Sequence, residues 1–427
     1  MDYQLKESLT KKENNKIKTN IALFLSGKLV SLLGTSIYSF AIGLYVLKLT
    51  GSGASFSLTI VFSMLPRVIL GPFAGSIADN TNRKVMVVGM DLLSGLLMFL
   101  LYFITITSNL TLNFIYISAF MLTVFNTFFS VAFDASIPNI VDDKRLMKAN
   151  SLNQSVMSLT NILGPLIGGL VFAIFDIKYF ILFNGISFLL SGITEAFINF
   201  NINNKASDND KNNKSRKKDI FKATLEGFKY LKTQKLLFSL ACYFAFVNLF
   251  FSGVEVALPY ILVNELKLGS KIYGTINGFF AAGSLVFSIV LSTLPEIKNK
   301  YRIISLGMFI TGILTILVGL PTTNLLPEMN SIFYLIYFMI ITFGIGSIVV
   351  MINIPINVTL QRETPDEYRG RLFGALTTMS MAIQPLGMVI SGLLIDILPS
   401  YVIPIVSGIL FIMLLLIMGR NKELRNI

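Results

Sequence analysis

The sequence predicts an all-α polytopic membrane protein: twelve transmembrane helices in two pseudo-symmetric six-helix bundles. Three observations predict it. Apolar residues come in successive runs of about twenty, each long enough to cross a hydrocarbon layer about 30 Å thick. The 427-residue chain is 54% hydrophobic and only 14% charged, where a soluble globule carries about 25% charged residues. Finally, a single long polar break at 201–235 divides the runs six and six, as two pseudo-symmetric bundles around a midplane site require. Each span must be helical, because only a helix satisfies its own backbone in lipid.

The first span, at about 21–47, follows a polar tail, MDYQLKESLTKKENNKIKTN, that has no cleavable signal pattern. The second, 54–78, runs into a charged turn, and the third follows at 85–106. The fourth, 111–133, gives way to the polar stretch FDASIPNIVDDKRLMKANSLNQ. The fifth, 152–175, holds Gly164-Pro165-Leu166-Ile167-Gly168-Gly169. The sixth, 179–200, ends at the long break. The seventh and eighth lie at 236–262 and 272–294, before PEIKNKYR at 295–302. The ninth and tenth, 303–320 and 331–358, precede RETPDEYRGRLFG at 362–374. The eleventh, 372–396, holds Gln384-Pro385-Leu386-Gly387, a faint counterpart of the fifth-span glycines, and the twelfth is 400–418. The domains are therefore 1–200, a six-helix bundle with its tail; 201–235, a linker; and 236–427, a second six-helix bundle. The linker begins as an Asn/Lys/Asp-rich disordered stretch. It ends as an amphipathic segment, with Phe221, Leu225, Phe228 and Leu231 on one face, expected on the inner leaflet.

Charge sets the orientation. With the N-terminus placed inside, the inner segments hold 29 Lys and Arg and the outer segments four, Lys48, Lys178, Lys267 and Lys271. The positive-inside rule then puts both termini in the cytoplasm. The net charge of +12 is topological and faces anionic lipid, so no nucleic-acid partner is needed. The chain has no histidine and one cysteine, Cys242. That excludes an internal disulfide, histidine or cysteine metal sites and a histidine proton relay. No catalytic residues and no cofactor are expected, and no phosphate-binding loop of the G-x-x-x-x-G-K-[ST] type occurs, so ATP hydrolysis by this chain is not expected.

The turn after the second span, GPFAGSIADNTNRK, packs an acid and two bases between two spans. It resembles the signature loop between helices 2 and 3 of the major facilitator superfamily, Gly-x-x-x-Asp followed by a turn and two bases. Gly75, Asp79, Arg83 and Lys84 fill that pattern. Asn82 replaces the glycine usual before the Arg, a position where Asn tolerates left-handed backbone. Gly164-Pro165-x-x-Gly168-Gly169 resembles the fifth-helix motif of the family's exporters, with Pro165 kinking the helix. Thr160 and Ser151 stand where the longer motif has glycine. The opening at 31–53, the segment at 133–154 followed by GPLIGG and the tenth-to-eleventh loop at 362–374 resemble the macrolide-efflux and enterobactin-exporter-like branch. The resemblance implies a twelve-span secondary transporter. It also implies gating contacts, with Asp79 near the N-terminus of the eleventh span, close to Leu372, and Arg83 against an acid at the end of the fourth span, for which Asp134 is the expected partner.

Ionisable groups inside spans are functional candidates by default. Arg67 lies twelve residues before Asp79, about 18 Å up the helix and near mid-membrane. Lys28 and Asp91 share a depth, which permits a pair between them, and Glu195 lies near the inner end of the sixth span. Glu255 sits in the outer part of the seventh. Arg67, Glu255, Asp91 and Lys28 form the candidate substrate or proton site, although Lys28 and Glu195 could instead snorkel and Asp91 could be structural. The expected function is export of an amphiphilic small molecule in exchange for protons, by a monomer in a bacterial inner membrane. A nutrient importer is the first alternative; a receptor or a membrane enzyme is less favoured, because no catalytic groups cluster.

Overall fold

The computed structural model describes residues 2–108, 110–141, 145–200, 231–293, 299–323, 329–362 and 366–420, with residues 229, 325, 327, 364 and 425. Thirteen long helices run in order among the described residues: α1 (Asp2–Thr50), α2 (Gly53–Phe62), α3 (Leu65–Asn80), α4 (Arg83–Thr107), α5 (Leu112–Ile140), α6 (Leu146–Ile174), α7 (Ile177–Ala196), α8 (Lys235–Tyr260), α9 (Ser270–Thr293), α10 (Lys300–Gly319), α11 (Ser331–Arg362), α12 (Asp366–Ile395) and α13 (Val402–Arg420). Among the described residues eleven stretches are long and apolar enough to span a bilayer, and a twelfth, Ala382–Ile395 in α12, is apolar but shorter.

The second apolar run is split into α2 and α3 at Ser63–Met64. Pro66 stands in the first turn of α3, where its missing N–H is tolerated. The carbonyl of Ser63 that the break exposes accepts the Thr123 hydroxyl of α5 at 2.9 Å, so the backbone stays satisfied inside the protein. Tight turns elsewhere need glycine: Gly51 between α1 and α2 has φ +65° and Gly269 before α9 has φ +83°, backbone that costs other residues more.

By contact the chain forms two units. The first comprises Met1–Phe40, Phe62–Gly164 and Phe175–Lys218; the second comprises Ala41–Val61, Pro165–Ile174 and Asp219–Ile427. In the first, α4 packs on α7 and α3 on α5. In the second, α10 packs on α13 and α9 on α11. These are the third and sixth and the second and fourth spans of one half, and their counterparts in the other. The repeat that the sequence carries only faintly is plain in the pairing.

The faces are those of a protein in lipid. On α4, Val87, Asp91, Ser94, Gly95 and Met98 are buried, while Leu92, Leu96, Leu100 and Phe103 are exposed. Both stripes follow the helical period. An outward stripe of large apolar residues is unfavourable in water and natural against acyl chains.

Several boundaries move. The fourth apolar run does not end at 133; α5 continues through Pro138 to Ile140, so Asp134 sits within a helix. α12 begins at Asp366, six residues before the expected start at Leu372. Leu231 does not lie on the leaflet. It is 1% exposed and packs with Leu237, Leu240, Ile304 and Met308, because a large apolar side chain beside a helix bundle gains more from the core than from the interface. Phe221, Leu225 and Phe228 lie outside the described residues.

Candidate functional site

The signature turn is built from its asparagine. Asn82 has φ −69° and ψ 109°, extended rather than left-handed. Its side-chain oxygen accepts the backbone N–H of Lys84 at 3.0 Å and of Val85 at 3.4 Å. It is therefore the N-cap of α4, satisfying donors that a helix leaves orphaned. Glycine could not cap in this way, which explains why this chain can replace it. Arg83 donates to the carbonyl of Ala135 at 2.8 Å and to Asn139 Oδ1 at 3.0 Å. Lys84 donates to the carbonyl of Ile198 at 3.1 Å. The turn thus ties α4 to the ends of α5 and α7. Gly75 is half-buried in α3. Asp79 lies in the last turn of that helix, but its side chain lies outside the described residues.

Asp134 pairs with Lys28, not with Arg83. Lys28 Nζ reaches Asp134 Oδ1 at 2.5 Å and Asn153 Oδ1 at 2.7 Å, and Asn153 donates to the same carboxylate at 3.0 Å. Lys28 is 1% exposed and Asp134 46%. The ammonium also lies 5.0 Å from the ring of Phe133, which stacks on Phe24. The alternative of a snorkelling Lys28 does not hold: its charge is inside, held by α5 and α6. Arg83 instead reaches the backbone carbonyl of Ala135 and the side chain of Asn139, further along α5.

The expected Lys28–Asp91 pair does not form. Asp91 Oδ1 accepts the Ser31 hydroxyl at 2.8 Å, and Ser31 sits three residues from Lys28, on the next turn of α1. Glu195 Oε1 accepts Ser191 at 3.2 Å, and Ser191 also donates to the Gly27 carbonyl at 2.8 Å. Glu195 is not snorkelling either; it is 0% exposed.

Arg67 stands just past the α2–α3 break. Its guanidinium donates to Asn126 Oδ1 at 3.4 Å, and Asn126 donates to Thr35 Oγ1 at 3.2 Å. Arg67 remains exposed, while Asn126 is buried. Among the described residues Arg67 makes no ion pair. A cation with unspent donors, set on a buried polar shelf, can bind an anionic or polar group. In the other unit Glu255 Oε2 accepts Gln384 Nε2 at 2.9 Å, linking α8 to α12.

The fifth-span motif makes two contacts. Gly164 is pressed onto Ser36 of α1, leaving no room for a side chain. A Cβ on Gly169 would stand 2.7 Å from the Cα of Gly274 in α9, and one on Gly274 would stand 3.3 Å from the carbonyl of Pro165. Gly168 is buried beside them, and Pro165 lies inside α6.

One contact has no forerunner in the sequence. Asp396, directly after α12, accepts the Ser52 hydroxyl at 2.6 Å and the backbone N–H groups of Gly53 and Ala54 at 2.6 and 3.1 Å. It caps the N-terminus of α2, where a carboxylate is favoured by the helix dipole. Ser31, Ser191, Asn139 and Asn153 were equally hidden, being small polar residues with nothing in the local pattern to distinguish them. Among the described residues no three acids, histidines or cysteines converge on a metal position.

The chain matches the family model of the Major Facilitator Superfamily over residues 24–388. It is 22% identical to macrolide efflux protein A of Streptococcus pyogenes over 415 residues, covering 97% of this chain and 98% of that protein. It is 25% identical to the MFS-type transporter YfiS of Bacillus subtilis, covering 94% and 92%. Among solved structures it resembles a bacterial homologue of the iron transporter ferroportin in its inward-facing state, with a TM-score of 0.68, 15% identity and coverage of 94% and 99%. The nucleoside transporter NupG gives a TM-score of 0.68 at 13% identity, with coverage of 94% and 100%. At such identities the structural likenesses speak for the fold alone. A family match over most of the chain, on a frame of paired apolar helices with ionisable groups inside the spans, makes this protein a multi-pass membrane transporter, not an enzyme, that belongs to the major facilitator superfamily.

Proposed function

We propose that this transporter exports an amphiphilic organic compound, of drug, macrolide or siderophore-like chemistry, in exchange for protons. It works as a monomer in a bacterial cell membrane, with both termini cytoplasmic and basic residues facing anionic lipid. The two six-helix halves, 1–200 and 236–427 joined by 201–235, alternate access to the cargo. The observation that carries the reading is the likeness to macrolide efflux protein A along 97% of the chain. The fifth-helix Gly164-Pro165-x-x-Gly168-Gly169 motif supports the same direction, and ionisable groups within the spans supply the means of coupling to an ion gradient.

In this reading Arg67 and Glu255 are the cargo-facing pair of polar groups. Arg67, with Asn126 behind it, holds a polar or anionic part of the cargo, while apolar side chains hold the remainder. Asp79, Arg83 and Lys84 form the inner gate with Gly75, and Asp134 anchors Lys28 beneath it. An exposed Arg67 would also suit an anionic nutrient, so import is the second reading. Expression in an efflux-deficient bacterial host separates them. Export predicts a severalfold rise in the erythromycin concentration that stops growth, abolished by an uncoupler and by Arg67→Gln. Unchanged or increased sensitivity to erythromycin, dyes and siderophore-like compounds alike would contradict it.

A further inference from the structure

Two acids are buried inside the first unit, and among the described residues neither has a cation as partner. Asp91 of α4 and Glu195 of α7 are 1% and 0% exposed. They lie on the packed helices α4 and α7, and Glu195 is one helical turn from Gly192, which faces Asp91. Glycines make the space. A Cβ on Gly27 would stand 2.8 Å from Glu195 Cγ, and one on Gly192 would stand 3.5 Å from Asp91 Cβ.

The hydrogen bonds around the two acids are asymmetric in the same way. One oxygen of each accepts a serine hydroxyl, Ser31 on Asp91 and Ser191 on Glu195. Among the described residues, the second oxygens, Asp91 Oδ2 and Glu195 Oε2, are buried with no hydrogen-bond partner. A buried carboxylate needs donors on both oxygens, and leaving one bare is costly. A neutral carboxylic acid carries no charge into the interior, so an unpartnered second oxygen costs it far less than it costs a carboxylate. The observed pattern suits two neutral acids better than two carboxylates.

Surrounding charges do not offer an alternative counter-ion. Lys28, one residue from Gly27 on α1, turns to Asp134 of α5 and Asn153 of α6. Arg83 and Lys84 of α4 donate to Ala135, Asn139 and Ile198, and they lie about 10–12 Å along the helix from Asp91.

We propose that the Asp91–Glu195 pair, with Ser31 and Ser191, is the proton-carrying station of this transporter, separate from Arg67 and Glu255, where cargo binds. This rests on the proton-coupled reading above. In the closed arrangement the pair holds protons on Asp91 Oδ2 and Glu195 Oε2. When α1 shifts and water reaches the pair, an O–H bond of one acid breaks and the proton passes to water. The carboxylate left behind keeps its serine donor and gains water on the other oxygen. Reprotonation restores the dry, neutral pair and allows α1 to return. Ser31 and Gly27, both on α1, would be the parts that carry the movement to the acids.

The test uses the full-length protein in lipid nanodiscs and in proteoliposomes. Infrared spectra should show the C=O stretch of protonated carboxylic acid at neutral pH, shifted by deuteration. Glu195→Gln and Asp91→Asn should each remove part of that band. Ser191→Ala keeps both acids and should move the band without removing it, which keeps the test valid if an acid variant fails to fold. In proteoliposomes, wild type should accumulate erythromycin at least tenfold more with an imposed proton gradient than without, and each acid variant should lose that ratio. A band that neither acid variant alters would overturn the proposal, as would a gradient response equal to wild type in both variants. If wild type itself ignores the gradient, proton coupling falls first and the pair is a structural one.

Discussion

Lys28 is a cation that folding takes out of water, and its partners decide what that costs. A broken buried pair costs about 3–5 kcal/mol, because the remaining charge is left unmatched. Asp134 is half-exposed, so solvent screening puts this pair at the lower end or below it. Asp134→Asn should therefore lower the thermal midpoint of the purified protein, and Lys28→Met combined with Asp134→Asn should recover part of the loss. Equal stability of Asp134→Asn and wild type would mean that Asn153 and Phe133 suffice to hold the ammonium. Depth was legible in the sequence, since counting residues from the charged turns placed Lys28 and Asp91 inside a helix bundle at one level. Partner choice was not legible. It depends on the direction in which each helix faces, and a one-residue step rotates a side chain by about 100°. Lys28 and Ser31 thus serve different acids. The Asn82 cap was hidden for another reason: a family pattern drew attention to the glycine it replaces, whereas Asn299, whose side chain accepts from Arg302 at 3.0 Å, caps α10 in the same manner.

Helix ends carry most of the information that the apolar pattern lacks. Periodicity finds the middle of a span, but polar end turns, such as the last of α5 and the first of α12, belong to the helix without looking apolar. The split between α2 and α3 arises from Pro66 and is closed by Thr123, a partner sixty residues away. Asp396 is the strongest case, reaching back 343 residues to Gly53. A carboxylate on a helix N-terminus contributes about 0.3–2 kcal/mol, enough to bias a balanced two-state equilibrium severalfold. Ser57 of α2 is buried under Gly392 of α12. With Cys242 replaced, Ser57→Cys should react slowly with a membrane-impermeant maleimide, and adding Asp396→Ala should speed the reaction severalfold. Equal rates would show that the cap does not hold α2 against α12. Gly169→Leu should separate α6 from α9 and reduce transport without preventing insertion, as followed by drug resistance and membrane yield. Full resistance in that variant would remove the close approach of Gly169 to Gly274 from the transport cycle.

At the scale of the whole molecule, the apolar runs and the long break made the class and the six-and-six repeat legible, because lipid permits so few solutions to the backbone problem. The cargo was far less legible, since a transporter reads its substrate with side chains scattered over many helices. The proposed orientation rests on the asymmetry of 29 to four bases. In a chain lacking Cys242, Ser108→Cys and Ser270→Cys should label from outside intact cells and Ser215→Cys should not; external labelling of Ser215→Cys would invert the topology. The central claim is that an inward flow of protons drives cargo outward, which requires only that cargo and proton favour different states by a few kcal/mol. Everted membrane vesicles containing the wild-type protein test it most directly. With an imposed proton gradient, acid inside, they should accumulate radiolabelled erythromycin or a fluorescent dye, and an uncoupler should release it. Accumulation indifferent to the gradient, or uptake of a nutrient into right-side-out vesicles in place of drug into everted ones, would contradict the account.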